Sequence, residues 1–279
     1  MRLLVIVGGV FVCLLEAVAG QTTSRNSAGS PRGTVILASV QTRPILARFL
    51  ELAGGADSKI VFVPTGHLQK PGAPQMFLGT NAGEAALKAA GAKEIVVLHT
   101  FDRAIADLDS FVEPLRRAGG VWLGGGLPEN LLDTYAGTKV EQELRGVLAR
   151  GGVVGGLSAG AMVLAGQTVN GSLGSDRQWV VRQGFGLLRG IAFQPHAQNP
   201  KPESWMLNRP DLLCIAADNS TAWVVRGDVA EIIGEGRAYV YTTSAGNADT
   251  AFITFQPGDR YELATGIVHS AQPEAAVKK

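Results

Sequence analysis

The segment Val153-Val154-Gly155-Gly156-Leu157-Ser158-Ala159-Gly160-Ala161-Met162-Val163-Leu164 constrains the fold more than any other stretch of the chain. An apolar run, a sharp turn carrying a serine and a second apolar run read as strand, turn and helix. Glycines on both sides of Ser158 let the backbone take strained dihedrals and let another segment or a substrate come close. Such a turn presents the serine hydroxyl at the positive end of the following helix, as a nucleophile elbow does. The plainer reading is a strand-to-helix turn in which Ser158 only caps the helix. A nucleophilic serine also needs a histidine to take its proton and a group to hold that histidine.

The rest of the chain supplies a frame for this turn. Apolar runs of strand length at 34–40, 59–63, 94–98, 120–123 and 152–154 alternate with helical patterns at 43–53, 83–90, 103–118, 129–136 and 139–149. That alternation predicts a parallel sheet covered on both faces. After the Ser158 helix, the runs 212–217, 221–225, 229–233 and 238–241 are divided by turns such as Arg226-Gly227-Asp228 and read as antiparallel. The expected fold is therefore α/β: a doubly wound, mostly parallel sheet with helices on both faces and an antiparallel C-terminal extension. It forms one domain over 34–271, with a frayed tail over 272–279.

In sheets of this kind ligands lie beyond the carboxyl ends of the strands. Val40-Gln41, the loops 64–72 and 124–127, and Ser158 should share one rim. Gly124-Gly125-Gly126 follows the strand Val121-Trp122-Leu123, and it is the candidate for a second backbone segment beside Ser158. An amide from Gly125 or Gly126, with that of Ala159, would offer two donors to a tetrahedral oxyanion.

Composition narrows the partners. With a formal charge of +1 and no Lys/Arg cluster interleaved with aromatics, the chain offers no groove for nucleic acid. Met1-Arg2, the apolar run from Leu3 to Leu15 and Ala17-Val18-Ala19 read as a signal peptide over 1–19, so the protein is expected to be exported, to the periplasm or outside the cell. The apolar run is short for a bilayer, and stable membrane insertion is not expected. Residues 20–33 would form a flexible leader. Cys13 lies within the signal, leaving Cys214 in Leu212-Leu213-Cys214-Ile215 as a core residue without a disulfide partner. No clustered His/Cys set suggests a metal site, and neither metal nor organic cofactor is expected.

The candidate bases are His67, His99, His196 and His269. His196 ends Phe193-Gln194-Pro195-His196. His269 lies downstream of Asp249 and Asp259, which would give the order serine, acid, histidine of an α/β-hydrolase esterase. Spacing alone leaves both open.

An ordered set of motifs resembles the cyanophycinase and aspartyl dipeptidase family of serine peptidases, which have a class I glutamine-amidotransferase-like fold. The set comprises Val63-Pro64-Thr65, Ala118-Gly119-Gly120-Val121-Trp122-Leu123-Gly124-Gly125-Gly126, the Ser158 segment, and Gly184-Phe185-Gly186-Leu187-Leu188 with His196. Asp211-Leu212-Leu213, Asp218-Asn219-Ser220-Thr221-Ala222 and Gly234-Glu235-Gly236-Arg237-Ala238-Tyr239 complete it. The resemblance implies Ser158 as nucleophile and His196 as general base, with Ala159 and Gly125 or Gly126 at the oxyanion. It makes His269 a bystander and implies pairing as a homodimer.

The resemblance also exposes departures. The family's third catalytic position is a glutamate, and here it is Asn219, with Asp218 beside it as an alternative. An amide can orient an imidazole but cannot stabilise an imidazolium as a carboxylate does. Cyanophycinases carry a glutamine after the double glycine, an Asp-Gln pair before the histidine and arginines after it. This chain has Leu127-Pro128, Gln194-Pro195 and a stretch containing Lys201 and Trp205 instead. Leu127, Gln194 and Trp205 are thus the candidate substrate contacts, and cyanophycin is not the expected substrate. The expected function is an exported serine-type peptidase or amidohydrolase acting on a peptide or other small amide. The rival is an impaired family member that binds a peptide or protein in the same cleft.

Overall fold

The computed structural model describes residues 32–72, 82–171, 179–198, 209, 211–242 and 251–271. The chain begins with β1 (Thr34–Ala38), α1 (Arg43–Leu52), β2 (Lys59–Val63) and, after a 3-10 turn at Thr65–His67, α2 (Gly83–Ala90) and β3 (Glu94–Val97). It continues through α3 (Arg103–Ala106), α4 (Asp109–Arg117), β4 (Gly120–Leu123), α5 (Pro128–Tyr135), α6 (Lys139–Ala149), β5 (Val153–Leu157) and α7 (Ala159–Leu164). The second half is built of strands: β6 (Ala165–Gly171), β7 (Trp179–Gln183), β8 (Leu188–Gln194), β9 (Leu213–Ala217), β10 (Thr221–Arg226) and β11 (Val229–Gly234). The last are β12 (Ala238–Thr242), β13 (Ala251–Phe255), β14 (Arg260–Glu262) and β15 (Val268–His269).

The main sheet has the order β15-β14-β11-β10-β1-β5-β4-β2-β3. From β1 to β3 the pairs are parallel, and from β10 outward they are antiparallel. Side chains alternate across each strand, so Ile36, Ile60, Phe62 and Trp122 face α1 and α2, where Phe49 meets Trp122 edge-on at 5.0 Å. Val35, Leu37, Val61, Val121 and Leu123 face the other way, against α4 to α7 and the second sheet. Each such fully buried side chain contributes about 1.5–3 kcal/mol. Among the described residues, no helix is long and apolar enough to cross a membrane.

Two expectations need correction. The helix expected over 103–118 is two helices. Asp102 caps α3 through the Ala104 amide, Leu108 is extended, and the Asp107 carboxylate accepts from the Lys139 amide at the start of α6. The strand expected to stop at 154 runs on to Leu157, because its glycines are places of close packing within the sheet. A Cβ on Gly155 would stand 2.5 Å from the Trp122 ring, and one on Gly156 would stand 2.5 Å from the Gly160 carbonyl carbon. The expected antiparallel C-terminal extension of the parallel sheet is present as β10, β11, β14 and β15, and the other late strands build a further layer. β6 to β9, β12 and β13 form a second sheet in the order β13-β12-β9-β8-β6-β7, in which β6·β8 and β8·β9 are parallel.

This division decides where chemistry can occur. The chain leaves the second sheet at the end of β9 and enters the main sheet at β10, so residues 218–220 bridge the two. The carboxyl ends of β1, β5 and β8 meet that bridge.

Candidate active site

Ser158 stands between β5 and α7 with φ 49° and ψ −119°, a conformation that costs a non-glycine residue on the order of 1–3 kcal/mol. Its amide donates to the Ala38 carbonyl at 2.8 Å, which locks the turn to the end of β1. Its hydroxyl makes no capping bond to the helix, so the capping interpretation does not describe it. The turn is this tight because α7 lies directly on β4. A Cβ on Gly160 would stand 2.5 Å from the carbonyl oxygens of both Leu123 and Gly124.

The hydroxyl instead meets His196, whose Nε2 lies 3.0 Å from Ser158 Oγ. On the other side of the ring, Nδ1 lies 2.6 Å from Asn219 Oδ1. With the amide oxygen turned to the ring, Nδ1–H donates to it and the Nε2 lone pair faces the serine, the tautomer that can accept the hydroxyl proton. Among the described non-glycine residues, positive φ occurs at Ser158, His196 (φ 60°) and Ser220 (φ 63°), and all three lie at this junction.

Asp218 serves a different contact. Its carboxylate accepts from the Tyr239 hydroxyl at 3.0 Å and from the Arg237 amide at 3.0 Å, and Arg237 Nε lies 3.6 Å away. Burial, and after it the bond to Asp218, pushes the Tyr239 phenol up and keeps it a donor. Consecutive residues at the end of β9 thus point to opposite sides, Asp218 toward β12 and Asn219 toward His196.

The loop after β4 brings Gly125 beside the serine, where an added Cβ would stand 3.3 Å from Ser158 Cβ. Gly126 has φ 105°, and a side chain there would overlap the Gly66 carbonyl, so only glycine fits without strain. Among the described residues, no loop or turn carbonyl accepts from the amides of Gly125, Gly126 or Ala159. Leu127 is half-buried at the rim and donates its amide to Gly66 O at 2.8 Å. Gln194 accepts from the Tyr241 hydroxyl through Oε1 at 2.7 Å. Trp205 and Lys201 lie outside the described residues, as do 1–31 and the tail from 272.

The other histidines lie on other elements. Thr65 Oγ1 lies 2.9 Å from His99 Nδ1 and 2.6 Å from the Tyr135 hydroxyl, forming a polar cluster behind the loop that carries Gly66. Burial lowers the pKa of His99. His67 is half-buried on that loop. His269 pairs with Glu262 at 2.9 Å on the outermost strand of the main sheet. A groove of about 820 Å³ lies elsewhere, between α6 and the starts of β8 and β9, with Glu141, Arg145, Arg189 and Asp211 among its lining. Its Arg145 is engaged by Glu141 and by the Phe185 and Gly186 carbonyls.

Sequence reasoning did not single out Ser39. Its hydroxyl is fully buried and accepts from the His196 amide at 3.2 Å. The available signal was its place, directly after β1 and before Val40-Gln41, on the rim expected to carry ligands.

The model of a family described as peptidase family S51 matches residues 35–233. The cyanophycinase of Geminocystis herdmanii (strain PCC 6308) is 26% identical over 207 residues, 71% of this chain and 74% of its own length. The cyanophycinase of Synechococcus elongatus is 26% identical over 208 residues, and there the match covers 71% of this chain and 62% of the relative. Among solved structures, a peptidase from an acI-B1 Actinobacterium aligns with a TM-score of 0.65 at 22% identity, covering 82% of this chain and 96% of that one. A putative peptidase E protein from Listeria monocytogenes EGD-e aligns with a TM-score of 0.51 at 20% identity, covering 73% and 98%. At these identities the structural likeness establishes the fold.

Proposed function

The chain belongs to peptidase family S51, and from that premise we propose that it is a serine-type peptidase or amidohydrolase in which Ser158 is the nucleophile and His196 the general base. The observation that carries this reading is the 3.0 Å contact between His196 Nε2 and Ser158 Oγ, with the Nδ1 side of the ring held by Asn219. His196 takes the hydroxyl proton as Ser158 Oγ bonds to the carbonyl carbon of the scissile amide. The carbonyl oxygen becomes an oxyanion, received by the amide of Ala159 and that of Gly125 or Gly126. His196 then gives the proton to the departing amine, and the C–N bond breaks to leave an acyl-enzyme. A water molecule deprotonated by His196 hydrolyses the ester and returns Ser158 to its starting state.

Asn219 sets the character of this machinery. It holds the ring in a productive tautomer, yet supplies no negative charge to the imidazolium. In a serine protease the change from acid to amide costs about 10⁴ in turnover, much of it through the wrong tautomer. Here the amide oxygen faces Nδ1, and the loss is the smaller one of charge alone. The substrate is a peptide or related small amide. Leu127 stands where cyanophycinases carry a glutamine and Gln194-Pro195 where they carry an Asp-Gln pair, and the loss of those polar groups supports a substrate other than cyanophycin. The signal-peptide pattern read over 1–19 supports action after export.

Asn219 also favours a second reading, a member of the family that binds a peptide or protein in this cleft without turning it over. Incubation of the folded protein with a mixed dipeptide and oligopeptide library, followed by mass spectrometry of the products, separates the two. Cleavage that disappears in Ser158→Ala and His196→Ala supports the hydrolase. Retention of library members with no cleavage in any form supports the binder.

A further inference from the structure

We propose that Ser39 is a positioning residue for this hydrolysis, its buried hydroxyl holding the His196 backbone so that the imidazole stays in register with Ser158. The proposal rests on the reading of His196 as the general base.

The dipeptide Ala38-Ser39, the last residue of β1 and the one after it, is the point from which all three site segments hang. The Ala38 carbonyl accepts from the Ser158 amide at 2.8 Å, and the Ser39 amide donates to Thr221 O at 3.1 Å, just past Asn219. The Ser39 hydroxyl donates to Ala217 O at 2.8 Å and accepts from the His196 amide at 3.2 Å. One side chain, with no exposed surface, therefore joins the end of β9 to the residue that carries the imidazole.

The need for it follows from the local chain path. The pairing of β8 with β9 ends at Gln194 with Ala216, and bonding to β9 resumes when the Ala197 amide donates to Ala217 O at 3.0 Å. Between them Pro195 has no N–H to offer, and the amide of His196, which stands at φ 60°, donates to no β9 carbonyl. Ser39 is the acceptor for that amide. The bond is part-buried, so removal of the hydroxyl takes from the His196 amide the acceptor that holds it, which disfavours this dihedral and moves the ring. A misplacement of about 1 Å at a catalytic group can cost on the order of 100-fold in rate.

The test compares the wild-type full chain with Ser39→Ala and with Ser39→Cys, which keeps the shape and offers a poorer acceptor. Steady-state hydrolysis should show kcat lower by roughly 10- to 100-fold in Ser39→Ala, with KM little changed and an intermediate loss in Ser39→Cys. Proton–nitrogen NMR should show faster exchange of the His196 amide and displaced His196 imidazole resonances, with those of His67, His99 and His269 in place. A kcat loss that matches only a reduced folded fraction in thermal melts, or His196 signals unmoved in Ser39→Ala, overturns the proposal. A wild type that hydrolyses nothing sinks the peptidase reading, and the His196 exchange and resonances then decide the role of Ser39 by themselves.

Discussion

Replacing Asn219 by aspartate supplies the charge that the site lacks without altering its shape. The two side chains are isosteric, so Asn219→Asp puts a carboxylate oxygen where Oδ1 now stands, 2.6 Å from His196 Nδ1. With charge centres about 4 Å apart, the attraction on the imidazolium formed during reaction is about 4 kcal/mol at an effective dielectric of 20 and about 1 kcal/mol in bulk water. His196 is exposed and Asn219 half-buried, which places the gain nearer the lower figure, at about 1–3 kcal/mol. At 1.36 kcal/mol per tenfold, the rate of acylation rises roughly 5- to 150-fold. The assay is kcat/KM for a peptide or activated ester as a function of pH, with Asn219→Ala as the control that loses orientation altogether. The carboxylate favours the protonated ring, and only the neutral ring acts as base. The acid limb of the profile therefore moves to higher pH in Asn219→Asp, and the gain is complete only above it. A folded Asn219→Asp protein that is no faster than the parent at any pH would refute the idea that missing charge limits this site.

Other expectations follow from the same contacts. Gly160→Ala forces a methyl against the Leu123 and Gly124 carbonyls and should cost about 1–3 kcal/mol, read as a fall of roughly 3–10 °C in Tm; an unchanged melt would show that α7 does not sit on β4 as described. Asp218→Ala removes the acceptor of the Tyr239 hydroxyl and the Arg237 amide, so stability should drop by about 1–3 kcal/mol in urea while the rate per folded molecule holds. A collapse of that rate in a folded Asp218→Ala protein would assign the imidazole's partner to Asp218. The thiol of Cys214 is pushed up to about 11 by burial, so iodoacetamide should leave Cys214 unmodified in the native protein and label it once denaturant is added, as peptide mapping would read. Fast labelling of the native form would contradict its place in the core.

The parallel half of the fold was legible because its cause is local: continuous apolar runs of strand length, buried on both faces, separated by amphipathic helices with terminal glycines. The second sheet was not legible. The runs at 212–217 and 238–241 read the same whether they extend one sheet or build another, and only long-range pairing decides. The break between α3 and α4 depends on Asp107 meeting the Lys139 amide, a contact across 32 positions that no window of sequence contains. In the site, Ser158 and its flanking glycines were readable as a strained turn. His196 was not separable from His269 by spacing, and only the resemblance favoured it. Asn219 and Asp218 were adjacent letters, and their opposite directions depend on where β9 ends. Ser39 looked like an ordinary strand-end residue because its partners are 157 and 178 positions away.

The claim at the centre of this account is that His196 makes Ser158 nucleophilic, and reaction with a fluorophosphonate probe followed by peptide mapping tests it most directly. The account predicts a single phosphonylated peptide carrying Ser158, absent in Ser158→Ala and formed far more slowly in His196→Ala. A folded wild type left unmodified, or modified on another residue, would contradict it.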